Sequence, residues 1–209
     1  MDALAQNLVS ALISGAIYGV AGLGFTVVYN ATKIMNFAQG EFLMMGALIS
    51  AFFVTSFGLH IVLAIGIATI ATVVLSVILD RWVIQLGRRK TPLNAVMITL
   101  GAAITFRGLA VVVIGRDILF EPPFGGIPTI TFGNVYLSSQ GVWILLMLIV
   151  FSLGLSYMFN KTRIGMSMRA ASDNPRAAML CGIDSRWTST LAFGIAAATG
   201  AIAGAFVAP

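Results

Sequence analysis

The chain has 209 residues, of which 59% are hydrophobic and 9% charged, with a net charge of +5 and a mean hydropathy of +1.00. A soluble domain carries about 25% charged residues, so this chain lacks the polar surface to fold in water. Its long, continuous apolar runs point to membrane-spanning helices and away from a barrel, whose strands alternate.

In chain order, the apolar runs cover residues 8–29, 37–57, 61–79, 93–115, 141–159 and 188–208. Each reaches or approaches the roughly 20 residues that a crossing helix needs. The fold class is therefore all-α: one polytopic bundle of about six spans, with no linker to divide it. Met1-Asp2-Ala3-Leu4 has no basic leader and runs straight into an apolar stretch, so it reads as a first span and not a cleaved signal. Gly58-Leu59-His60 leaves room only for a tight hairpin between the second and third spans. Residues 116–140, with Pro122, Pro123 and Pro128, read as turns and a short interfacial or re-entrant piece.

Ten of the twelve basic residues fall in alternate gaps: Lys33; Arg81, Arg88, Arg89 and Lys90; and Lys161, Arg163, Arg169, Arg176 and Arg186. Basic residues confined to short gaps are a topology signal and not a nucleic-acid surface. The positive-inside rule puts those gaps in the cytoplasm and the N-terminus outside. Cys181 and His60 are the sole cysteine and histidine, which excludes a disulfide within the chain and a His/Cys metal cluster.

Small residues at four-residue spacing, Ala11, Gly15 and Gly19 in the first span and Ala196, Gly200, Gly204 and Ala208 in the sixth, allow close helix approach. They suit bundle packing; a dimer seam or a pathway wall are the alternatives.

Two ionisable residues lie inside spans, where charge is expensive and commonly functional. Glu41 is five residues past Asn36, about 8 Å deep, and reads either as a pathway residue or as a carboxylate favoured by a helix start. Arg107 is about 21 Å from the inner side and near enough to the outer surface to snorkel there. By these depths the two miss each other by roughly 10 Å and do not pair.

The gap over residues 160–187 is long and internally organised. Asn174 can cap a short helix, Pro175 suits its first position and Gly182 can close it. Ala178, Met179 and Leu180 would then present a small apolar face between basic residues, suited to docking a protein; a basic loop held on anionic lipid is the alternative. The chain has no Walker A phosphate cradle, no H-E-x-x-H and no G-x-S-x-G motif, so an enzyme reading has nothing to build on.

Residues 19–46, and above all Asn36-Phe37-Ala38-Gln39-Gly40-Glu41-Phe42, resemble the permease subunits of bacterial branched-chain amino acid ABC importers. Gln39 stands where that family usually has histidine, and Asn30 where glycine is common. Residues 162–204 resemble the family's coupling loop and the helix after it, with Gly165, Arg169, Ala170, Ala177, Ala178, Gly182 and Ile183 in place. The resemblance covers nearly the whole chain. Family members continue past the equivalent of Pro209, so it implies a permease domain over residues 1–209 that is incomplete at its C-terminus.

What the resemblance implies is a multi-pass protein of the bacterial inner membrane. It would pair with a second related permease chain, two cytoplasmic ATPase subunits and a periplasmic binding protein that delivers leucine, isoleucine or valine. ATP and Mg would sit on the ATPases, with no cofactor and no enzymatic activity in this chain. A permease for urea or short amides is the alternative within related importers, and a secondary transporter or channel is the alternative from another class.

Overall fold

The computed structural model describes residues 2–85, 92–115, 129–132 and 135–208. Arg88, Arg89, Lys90, Arg116, Pro122, Pro123 and Pro128 lie outside the described residues. Six helices are long and apolar enough to cross a membrane. They are α1 (Asp2–Thr32), α2 (Gln39–Phe57), α3 (Ile61–Ile78), α4 (Pro92–Val113), α5 (Ser139–Lys161) and α8 (Ser185–Val207). Between α5 and α8 lie two shorter helices, α6 (Arg163–Asp173) and α7 (Pro175–Leu180). The 116–140 segment contains a feature that sequence reading missed: strands β1 (Thr129–Phe132) and β2 (Val135–Ser138) pair antiparallel, Thr129 opposite Ser138. That hairpin marks one end of the bundle; Lys33, α6 and α7 mark the other, basic end.

Local signals explain several element ends. Gly58 adopts φ +61°, and His60 Nδ1 accepts the Val62 N–H, so the single histidine serves as the cap of α3. Ser138 caps α5 in the same manner, through the Gly141 N–H. The third span runs beyond its expected end, because α3 continues as a π-helical turn, Leu79–Ile84. Such turns are rare and concentrate at functional sites.

Helix α8 is the axis of the bundle. Some 61% of its membrane window is buried, against at most 33% in any other span. Its composition permits this, since Ala192, Ala196, Ala197, Gly200, Ala201 and Gly204 let α1, α2 and α3 approach its backbone. A methyl group at Gly204 would overlap the Leu43 carbonyl, and one at Gly46 would overlap the Ala201 backbone, so α2 and α8 touch main chain to main chain. Gly200 and Gly19 lie in contacts too, against Gln39 with Phe42 and against Leu148. Gly15 does not: it is exposed, with open space where a side chain would begin. Helix α1 turns Ala16 and Val20 inward instead.

Candidate functional site

The first polar feature is the connection between α1 and α2. Lys33, at φ +56°, ends α1, and the chain then turns into the bundle. Ile34, Asn36 and Ala38 are buried. Asn36 Oδ1 accepts the Ala38 N–H at 3.1 Å, a side-chain turn that leads into α2. The Phe37 N–H donates to Thr99 Oγ1 at 3.3 Å. Thr99 is seven residues into α4, so the connection dips about 10 Å below the end of that helix. Gln39 is held deeper still. Its Nε2 donates to the Ala196 carbonyl at 3.1 Å, and Gly24 leaves the space it fills. Asn36 Nδ2 and Gln39 Oε1 are buried without a hydrogen-bonding partner among the described residues. Gly40 is exposed, with open space where a side chain would begin.

This dip overturns one expectation. Glu41 and Arg107 do pair: Arg107 Nη2 donates to Glu41 Oε1 at 2.5 Å. The depth estimate placed Asn36 at the surface. With Phe37 level with Thr99, Glu41 is about 6 Å further in and Arg107 about 12 Å. A guanidinium reaches across the remaining distance, because side chains on a helix lean toward its N-terminus, and here that direction leads to Glu41. Arg107 therefore does not snorkel toward the hairpin end. Glu41 is buried, whereas the Arg107 side chain is 69% exposed.

A second polar feature, which sequence reading missed, sits at the basic end. Asp80 is fully buried in the π turn. Ser189 Oγ donates to its Oδ1 at 2.8 Å; Thr190 Oγ1 and Gln85 Nε2 each donate to its Oδ2 at 2.7 Å. Neutral donors on α8 and on the turn thus hold the carboxylate. In the sequence Asp80 looks like half of a juxtamembrane Asp80-Arg81 pair. Nothing local shows that the helix continues past it or that Ser189-Thr190 lie opposite.

The third feature is the α6–α7 segment, which folds back on the bundle. Thr162 caps α6 through the Gly165 N–H. Gly165 lies against the Met158 carbonyl and Phe159, where a methyl group would clash. Met168 packs with Val27, Ala31 and Ala192, while Arg169 and Ala170 face outward. Asn174 Oδ1 then accepts the Ala177 N–H at 3.1 Å, with Pro175 at the first position of α7. At the other end Gly182 is at φ +80°, Ile183 N–H bonds the Ala178 carbonyl at 2.9 Å and Gly182 N–H bonds that of Met179 at 3.0 Å. These two bonds form a Schellman cap. The expected apolar face is rearranged. Ala178 points inward and is buried, Ala177 is exposed, and Met179 and Leu180 project outward, Leu180 being 91% exposed. Between α1, α5 and α6 a cleft of about 440 Å³ opens, with Lys33, Arg169 and Asp173 on its walls.

The family model described as branched-chain amino acid transport system / permease component matches residues 7–209. The chain belongs to this permease family. Among its relatives is the high-affinity branched-chain amino acid transport system permease protein BraD of Pseudomonas aeruginosa. It is 26% identical over a stretch covering 95% of this chain and 68% of that protein. The LivH protein of Escherichia coli K12, a high-affinity branched-chain amino acid transport system permease, is 24% identical over 95% of this chain and 68% of its own length. The probable branched-chain amino acid transport permease LivH of Methanocaldococcus jannaschii is 25% identical over 94% and 64%. The chain thus spans about two thirds of the length of these permeases. No solved structure matches it. Family membership and six crossing helices make it a multi-pass membrane permease.

Proposed function

We propose that this chain is the pathway-forming permease subunit of an ATP-driven importer of branched-chain amino acids in the cell's inner membrane. It would work with a second related permease chain, two cytoplasmic ATPases that carry ATP and Mg, and a periplasmic binding protein. The basic end faces the cytoplasm and the N-terminus the outside, in keeping with the excess of basic residues there. The relatives named for branched-chain amino acid transport support the substrate.

The observation that carries the reading is α7. It is capped at both ends, anchored through α6, and presents Met179 and Leu180 away from the bundle. A short ordered helix with two bare apolar side chains at a membrane edge suits a groove on a partner, and Arg169, Arg176 and Arg186 around it can steer an acidic rim. The test is Leu180→Asp in the assembled system, since a charge buried unpaired at an interface is costly. The expected outcome is normal insertion with loss of ATPase copurification and of leucine uptake. Full copurification and uptake would leave α7 as a basic loop on the lipid surface. ATP-driven uptake of urea or acetamide in place of leucine would overturn the substrate.

A further inference from the structure

The Glu41–Arg107 pair is lopsided. Glu41 is buried and spends one oxygen on Arg107, yet the Arg107 side chain as a whole stays largely exposed. A guanidinium has five N–H donors; only the bond from Nη2 to Glu41 is made to described residues. It springs from α4 about 9 Å before the C-terminal end of that helix and is drawn back toward Glu41, deeper in the span. A largely bare cation at that depth does not face hydrocarbon, because intramembrane charges turn to a bundle interior or a water-filled cavity. Snorkelling is no escape, since the bond to Glu41 draws the side chain inward.

We propose that the exposed face of α4 around Arg107 borders water, and that Arg107 binds there the carboxylate of the transported solute, with Glu41 orienting it. The chemistry is specific. Guanidinium forks match carboxylates with two parallel bonds. Glu41 takes one donor, Nη2, and leaves the others for a second anion. One anion already on the arginine also keeps the hold weak enough for release, which a pathway requires. This deepens the transport reading and rests on it. It names the group that an amino acid has and an amide lacks.

The test uses the full assembled transporter in nanodiscs, with Cys181 replaced by serine because it is exposed and would react. Ile104 lies one turn before Arg107 on the same helix and is exposed. Ile104→Cys should be modified by MTSES, an anionic reagent that reacts only where water reaches. Leucine should slow that modification about tenfold and leucinamide should not, because only leucine satisfies the arginine. Adding Arg107→Gln should abolish the protection while labelling continues, and Arg107→Lys should keep part of it. An unlabelled Cys at 104 would show that lipid or protein covers this face and would overturn the proposal. Equal protection by leucine and leucinamide, or protection that survives Arg107→Gln, would overturn it as well. ATP-driven leucine uptake by the unmodified complex is scored separately. If that fails while labelling shows leucine protection, the importer reading falls and the carboxylate site stands.

Discussion

Asp80 offers the sharpest test of how the basic end is held together. Asp80→Ala removes the acceptor for Ser189, Thr190 and Gln85 at once. Three bonds to a charged acceptor are each worth about 1.5–3 kcal/mol, but burying the carboxylate offsets several kcal/mol of that. The expected net loss is therefore about 2–4 kcal/mol. For a chain of this size that is a fall of about 2–4 °C in melting midpoint per kcal/mol. The assay is thermal unfolding of the purified permease in detergent, run as a double-mutant cycle with Ser189→Ala/Thr190→Ala. If Asp80 acts through those hydroxyls, the triple variant melts close to Asp80→Ala alone. Strict additivity of the two losses, or an Asp80→Ala midpoint within 1 °C of wild type, would refute the reasoning. Asp80→Asn should fall in between, because Ser189 can rotate to accept from the new amide while the remaining bonds lose their charge.

Further outcomes follow from the packing. Gly204→Val should disrupt the contact with α2 and sharply lower the amount of folded protein, whereas Gly15→Val, in open space, should leave the isolated subunit's melting unchanged. Thr99→Val removes the partner of the Phe37 N–H and should cost about 1 kcal/mol, read as a lower melting midpoint. Asn174→Ala should loosen α7 by about 1 kcal/mol, seen as faster amide exchange confined to residues 175–183. For topology, in a Cys181→Ser background, Thr129→Cys should be labelled by an impermeant reagent added outside intact cells and Arg169→Cys should not; the reverse pattern would invert the orientation.

Much of this protein was legible along the chain because the signals are local. Continuous apolar runs give six spans whatever their neighbours are, since an unsatisfied backbone in lipid forces helix on each of them. Asn174, Pro175 and Gly182 set the ends of α7 through bonds to residues within five positions. The ladder Ala196, Gly200 and Gly204 showed that α8 has a face able to come close. Rotation and depth are different, because they belong to pairs of helices. Gly15 carries the same spacing as Gly200, yet α1 turns it outward, since small size permits contact without choosing a partner. Ala178 went inward because α6 anchors the segment, and no cap encodes that direction. Depth counted from span ends separated Glu41 from Arg107; the bond from Phe37 to Thr99 carried the first connection inward and brought them together. Asp80 became a structural centre only because α3 ran on past it to meet Ser189 and Thr190, 109 and 110 residues away in the chain. The sequence by itself determined which segments enter the membrane and where α7 is capped; only tertiary packing decided which polar groups they share once inside.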